Sequence, residues 1–363
     1  MKEQQEIDFL IVGQGLAGTL LGHFLLEGGS SIMILDEYRP YTSSRVAGGL
    51  FHPVTGRRIV KSWMVDILYD FALEFYSKQE QFFHTKFFFP KDLLEILSST
   101  HEFNVWSERL DDPSINQFLA DQPDKSLYEN KLKEFFKTIS LNGSGWMNIA
   151  RYLEVSFQYF AKLKIIESGK FKMGELEISG SEFRYGHINA KNIIFCEGSD
   201  ALHNPLWNWL PFNPSKGEVI TISAPLLPED YILLKGLFLI PLGNHRFCVG
   251  STYTWDYQDE LPTEEALQNL KSKLKNIINV PFEIVDHKSA IRPTTKDRRP
   301  LIGEHPKLKN VYMFNGLGTK GVLLGPYFAN EFAQFLLRSG KLHPEVDLGR
   351  FKSFFAESSQ SLQ

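Results

Sequence analysis

A mixed α/β (α+β) fold, in which a Rossmann-like parallel sheet with helices is joined to a second, mainly antiparallel sheet, is predicted by three observations. The first forty residues read as strand, glycine turn, helix, strand; the last fifty repeat that opening grammar; and the middle of the chain is rich in short strands. Residues 9–12 carry no polar alternation, as expected for a strand covered on both faces of a parallel sheet. Leu16–Glu27 has apolar residues at helical spacing, and Gly28 with Gly29 stops it. Residues 32–35 form a second buried-type strand ending at Asp36, and the helix between the strands supplies the crossover that parallel pairing needs. A loop punctuated by Gly and Ser spans residues 42–56, and a helix is expected over 63–83. Residues 87–141 read as short strands and turns, through FFF, Pro90, LLEILSS and DDP. A helix is expected over 145–163, then a small strand meander over 165–195 ending in the buried strand NIIFC. Strands return over 207–286 in GEVITIS, GLFLIPLG and RFCVGSTY, with one amphipathic helix near 264–278. The tail holds the strand VYMF, glycines at 316, 318 and 321, and a helix to about Arg338. Such interleaving predicts two domains, each using separated chain segments.

Composition narrows the class. The 363 residues are 43% apolar and 23% charged, and 39 Lys and Arg against 43 Asp and Glu give a formal net charge of −4. A chain of this length buries roughly three-quarters of its unfolded surface, enough for a deep enclosed site. Mild acidity argues against a nucleic-acid partner. Cys196 and Cys248 are too few for a disulfide framework and sit in apolar strand-like runs, which points to a reducing, cytoplasmic location. The opening MKEQQEIDFLIVGQGLAG is too short and too broken by glycine for a signal peptide or a spanning helix, and no membrane association is expected. Aromatics reach 13%, led by 30 Phe, a content that serves bulky core packing.

The most informative motif is G-Q-G-L-A-G, with Gly13, Gly15 and Gly18 enclosing Leu16 and Ala17, and Asp36 twenty-three residues after Gly13. Glycines there permit a tight turn and close backbone approach, so that a pyrophosphate sits on amide donors at a helix N-terminus. The acid at the end of the second strand takes ribose hydroxyls. Gly22, one turn on, fits close packing of helix on sheet. An acidic Asp36 disfavours a 2′-phosphate, which sets NADP aside and leaves NAD and FAD open.

Four further segments bear on that choice: SSRVAGGLFHP at 43–53, NIIFCEGSDAL, GLFLIPLGNHRFCVGSTY, and AIRPTTKDRRPLIGEHPKLKNVYMFNGLGTKGVLLGP. Together they resemble the FAD-dependent amine and amino-acid oxidases of the D-amino-acid oxidase superfamily, the glycine oxidase- and sarcosine oxidase-like amine oxidoreductases. The resemblance runs through nearly the whole chain in the family's order and is strongest over 290–326. It implies an FAD-binding domain from residues 1–85, 142–205 and 287–363, and a substrate domain from 86–141 and 206–286. Besides Gly13, Gly15, Leu16, Ala17, Gly18 and Asp36, it implies cofactor contacts from Glu37 and Arg45, from Gly48, Gly49 and Leu50, and from Gly198. The C-terminal turn would add Gly316, Gly318, Thr319, Lys320 and Gly321. Val46 stands where some relatives carry a histidine tethered to flavin, so FAD is expected to be noncovalent.

The same resemblance implies the chemistry. The reaction would be hydride transfer from the C–N bond of a small amine or amino acid to flavin N5, with dioxygen or an electron carrier as acceptor. Arg292, in the R-P motif, would take a substrate carboxylate in a bidentate fork that lysine cannot copy. Lys320, with the backbone amides of its turn and the following helix dipole, would stabilise reduced flavin. His52 lies in the loop that relatives run beside the cofactor; a general base there is conceivable, and a structural or binding role fits this chemistry better. Phe238 in FLIP replaces the tyrosine of Y-x-x-P, so one hydroxyl donor for a carboxylate is missing. Two alternatives stay open: oxidation of a secondary amine on a larger molecule such as a modified tRNA base, since G-L-G-T-K-G also resembles a turn in a tRNA wobble-base modifying enzyme, and a flavin-binding subunit with no reaction of its own. No metal is expected, since His101, His187, His203, His245, His287, His305 and His343 lack ligand spacing. Lys296, Arg298 and Arg299, and likewise Lys271, Lys273 and Lys275, read as solvated faces.

Overall fold

The computed structural model describes residues 4–355 apart from 57, 181 and 339. These residues form two compact units, one from 4–45, 150–215 and 291–355, the other from 46–149 and 216–290. Among the described residues no helix is long and apolar enough to cross a membrane.

The first unit is built on an eight-stranded sheet. Gln5–Val12 lies between Ile32–Asp36 and Ile188–Phe195, parallel to both. Ile166–Ser168 extends the parallel set on one side and Val311–Asn315 on the other. The registers Val12↔Leu35, Val12↔Phe195 and Phe195↔Met313 bring four strand ends to one edge. That edge is where open α/β sheets bind ligands. The expected Rossmann-like grammar is therefore realised, with the NIIFC and VYMF strands side by side. The core holds because these strands are apolar throughout: Leu10, Ile11, Ile34, Ile193, Ile194 and Phe195 are fully buried. The helix Leu16–Glu27 packs Leu20, Leu21 and Leu25 onto them. At Gly22 a Cβ would come within 3.3 Å of Ile34 and 3.5 Å of Phe160, so the missing side chain sets how closely helix meets sheet. The helix Gly321–Leu336 approaches the first helix just as tightly, since a Cβ on Gly325 would lie 2.5 Å from Leu20.

The second unit carries a seven-stranded sheet in the order Glu283–Arg292, Ser215–Ser223, Arg246–Gly250, Phe238–Gly243, Ile232–Leu234, Leu93–Leu97, Lys137–Leu141. From Ser215–Ser223 onward its pairs are antiparallel except Ile232–Leu234 with Leu93–Leu97. Alternate residues serve opposite faces: Leu239, Phe247 and Val249 join Leu270 and Leu274 of the helix Glu264–Lys275, while Ile240 and Cys248 pack with Val46, Trp106 and Trp146.

Two expectations differ from this structure. Residues 87–141 contain helices at Thr100–Leu110 and Pro113–Asn116. The first starts where Ser99 Oγ accepts the amide of Glu102; it buries Trp106 fully and packs Phe103, Val105 and Leu110 on the core in part. The helix expected from 145 begins at Ile149, because Gly145–Met147 pairs with Leu50–Phe51 and Phe88–Pro90 in a three-stranded sheet. A Cβ on Gly145 would meet Phe51 at 2.4 Å, so that glycine serves strand packing. Residues 46–85 cluster with the antiparallel part because Val46, Val54 and Ile59 share a core with Trp146, Ile240 and Cys248, and residues 206–215 cluster with the parallel part, where Trp207 and Leu210 are buried.

Candidate active site

At the strand-end edge of the first unit the glycine turn is dictated by contacts. Gly13 has φ +104°, its amide donates to Leu35 O at 2.8 Å, and a Cβ would lie 2.5 Å from Cys196 O. A Cβ on Gly18 would sit 1.9 Å from Gly13 O. Both positions exclude any side chain because backbone meets backbone. Gly15 differs: its Cβ would meet only Ser44 Oγ, at 3.3 Å, so the space over the first helix's N-terminus is open and fits a pyrophosphate. Leu16 N donates to Ser44 Oγ at 3.1 Å, and Ala17 follows in the first helical turn.

Asp36 anchors this turn from the second strand. Its Oδ1 accepts Gln14 N at 2.7 Å and its Oδ2 accepts Tyr38 N at 2.8 Å. Each oxygen keeps a further lone pair, the acceptor set a ribose diol needs. Gln14 itself is buried and donates through Nε2 to Thr19 Oγ1 and Leu153 O. Glu37 is exposed and lies 3.7 Å from Arg39, which also pairs with Asp200; Arg45 covers the ring of Tyr38 at 4.3 Å.

Two more turns join the same edge. Gly198 follows Ile188–Phe195 with φ +57°, and Gly316 follows Val311–Asn315 with φ +72°. Asn315, 3% exposed, links them: Nδ2 donates to Gly198 O at 2.9 Å and Oδ1 accepts Gly316 N at 2.8 Å. Beside Gly198, Glu197 is held by Asn204 Nδ2 at 2.8 Å, and its pKa is pushed up to about 7, chiefly by burial. Gly318 has φ +56° and begins the short turn with Thr319 and Lys320, ahead of Gly321 and its helix. Lys320 is an exposed residue, yet its ammonium is held below the usual lysine value, first by desolvation and then by Arg298 and Arg299.

Arg292 ends the strand Glu283–Arg292 and is half-buried. Its carbonyl accepts Thr294 N at 2.9 Å, and Thr294 and Thr295 flank the C-terminal turn: Cβ atoms on Gly318 and Gly316 would meet them at 3.4 and 3.1 Å. The first unit thus gathers Arg292 with Gly316, Gly318, Thr319, Lys320 and Gly321, and Gly13 to Gly18 with Asp36 and Gly198. Arg299 of the nearby basic run pairs with Glu345.

Gly48, Gly49, Leu50 and His52 belong to the second unit. Gly49, at φ +69°, would place a Cβ 2.0 Å from Met147 O, and Leu50 pairs with Trp146. Phe238 packs on Gly48 and Gly250, where Cβ atoms would stand 3.0 and 2.9 Å from its ring. His52 Nδ1 donates to Val54 O at 2.5 Å, which fixes its tautomer and leaves Nε2 the other nitrogen. Both cysteines are free and buried, and burial raises both thiols, that of Cys248 to about 12. Among the described residues no group of His, Cys, Asp or Glu is arranged to hold a metal.

A glycine turn between strand and helix, an acid at the next strand's end and a second glycine turn on the same edge define a dinucleotide-binding class of protein with an antiparallel companion sheet. The sequence profile of the family described as FAD dependent oxidoreductase (DAO) matches residues 8–335, and the chain belongs to that family. It is an oxidoreductase whose cofactor is FAD. A glycine oxidase of Pseudomonas aeruginosa is 24% identical over 93% of this chain and 96% of its own. The tRNA 5-methylaminomethyl-2-thiouridine biosynthesis bifunctional protein MnmC of Idiomarina loihiensis is 27% identical over 58% of this chain and 37% of its own. The crystal structure of glycine oxidase from Geobacillus kaustophilus superposes with a TM-score of 0.77 at 18% identity, covering 95% of this chain and 98% of that one, which is a likeness of fold.

Sequence reasoning did not single out Gln14, Glu197 or Asn315. Asn315 and Gln14 left a signal, an amide side chain directly ahead of a glycine where a strand ends.

Proposed function

We propose that the chain oxidises the C–N bond of a small amine or amino acid by hydride transfer to flavin N5, yielding an imine that hydrolyses, with dioxygen or an electron carrier as final acceptor. FAD, when bound, supplies the hydride acceptor. Arg292 carries the reading: a half-buried arginine at a strand end, two residues ahead of the threonine that borders the C-terminal glycine turn, has a guanidinium whose planar fork suits a carboxylate. Gly13, Gly15, Leu16, Ala17 and Gly18 would seat the pyrophosphate and Asp36 the ribose, with Glu37, Arg45, Gly48, Gly49, Leu50 and Gly198 lining the rest of the cofactor. Lys320, the amides from Gly316 to Gly321 and the positive end of the following helix would offset the negative charge of electron uptake. His52, whose Nδ1 donates to Val54 O, would hold the shape of its loop beside the cofactor. Phe238 offers no hydroxyl, so Arg292 would bind the carboxylate without that help. Two free buried thiols support a cytoplasmic location. The likeness to the MnmC relative favours a second reading, a secondary amine on a modified tRNA base, against which the net charge of −4 weighs.

Anaerobic flavin bleaching tests this. A carboxylate-bearing amine and its decarboxylated analogue are compared in the wild type and in Arg292→Lys. Loss of the fork should weaken transition-state binding of the carboxylate substrate by on the order of 2–4 kcal/mol and spare the analogue, with FAD content unchanged. Equal slowing of both would mean that Arg292 reads no carboxylate and would favour a plain or macromolecular amine. A flavin left oxidised by every amine would indicate an electron conduit.

A further inference from the structure

We propose that Asn315 couples the two cofactor turns of the first unit, so that filling the adenosine-diphosphate end of the site orders the turn at the other end. The inference rests on the dinucleotide reading above. The turn after Ile188–Phe195 touches the first glycine turn: the Cβ position of Gly13 lies 2.5 Å from Cys196 O and 3.5 Å from Glu197 N. The turn after Val311–Asn315 begins at Gly316 and runs to Lys320. Both need a left-handed glycine, and an isolated left-handed turn is held by few bonds of its own. Asn315 supplies one bond to each, Nδ2 to Gly198 O and Oδ1 from Gly316 N, from a side chain that is 3% exposed.

This geometry forces concerted behaviour. A planar amide whose two ends are both committed cannot release Gly316 and keep its orientation toward Gly198, and inside the protein it has no water to replace either partner. A ligand that fixes the Gly13, Cys196 and Gly198 backbone therefore fixes the plane of the Asn315 amide, and with it the amide of Gly316. The strands ahead of the turns are already paired through Phe195↔Met313, and beyond that ladder Asn315 adds the bonds to Gly198 and Gly316, which one substitution removes. Asn315→Asp keeps the acceptor for Gly316 N and replaces the donor facing Gly198 O by an oxygen. Asn315→Ala removes both bonds.

Hydrogen exchange on the full chain freed of flavin, with and without ADP, tests the proposal, and the FAD-loaded chain marks full protection. In the wild type ADP should slow exchange of residues 13–19 and also of residues 316–321, the latter about tenfold. In Asn315→Asp and Asn315→Ala, ADP should still protect residues 13–19, while protection at 316–321 falls to about that without ligand. ADP protection at 13–19 with none at 316–321 in the wild type overturns the coupling, as does undiminished protection at 316–321 in either variant. No protection at 13–19 in the wild type overturns the dinucleotide reading itself, and the coupling with it.

Discussion

Glu197 is a carboxyl that the fold prefers neutral. Burial raises its pKa from the ordinary 4.5 to about 7, Asp200 adds to the rise, and the Asn204 hydrogen bond opposes it. Because the folded value lies above the unfolded one, its contribution to stability is full below about 4.5 and is lost as pH rises through about 7. Glu197→Gln keeps the shape and removes the ionisation. Its stability advantage over the wild type in chemical unfolding should therefore grow between about pH 5 and about pH 8 by on the order of 2 kcal/mol. A pH-independent difference would show that Glu197 does not titrate in this window. Residues of this kind could not be read from the chain, because the burial that dominates the shift of Glu197 arises only when its turn packs against the first glycine turn. Gly13, Gly15, Gly18 and Asp36 could be read, since their roles depend on one local strand, turn and helix.

The first glycine turn separates two functions of one residue type at the level of a single element. Gly18 is required by the fold, for its Cβ would fall 1.9 Å from a backbone oxygen that cannot move without opening the turn. Gly15 is the N-cap of Leu16–Glu27 with φ −75° and ψ −169°, a conformation any residue adopts, and only a serine hydroxyl borders its Cβ. Gly15→Val should leave the thermal unfolding of the flavin-free chain close to wild type while abolishing FAD retention, because the side chain takes the space of the pyrophosphate. Gly18→Val should lower the flavin-free melting temperature as well, by a few kcal/mol equivalent, on the order of an overpacked core. Calorimetry and flavin absorbance on the two variants separate these outcomes, and equal destabilisation by both would sink the distinction. The Leu16–Glu27 helix was legible end to end because apolar spacing and a glycine stop agree. Thr100–Leu110 was not, since only Trp106 is fully buried while Phe103, Val105 and Leu110 pack on the core in part.

Across the whole molecule the chain alternates between its two units, and sequence could place the strands more readily than their core partners, because Val46, Val54 and Ile59 pack with side chains drawn from separate segments between Leu93 and Ala290. The first unit is completed only by the last segment, which brings Val311–Asn315 against Ile188–Phe195 and lays Gly321–Leu336 over the first helix. A chain ending at Ala290 should therefore lose bound flavin and near-ultraviolet circular dichroism together, since Ile193 loses its strand neighbour and Leu20 its cover. The cofactor should stabilise the intact chain without being bonded to it. Val46 is a buried apolar side chain with no atom able to bond flavin, so every anchor considered is a hydrogen bond or a contact. Free FAD at about 100 times its dissociation constant should then raise unfolding free energy by about 2.7 kcal/mol, and the melting temperature should climb with FAD concentration. Denaturation should release all the flavin into the filtrate. Flavin that stays with the denatured chain, or a melting temperature indifferent to added FAD, would show that the cofactor is held by a bond the present residues do not provide.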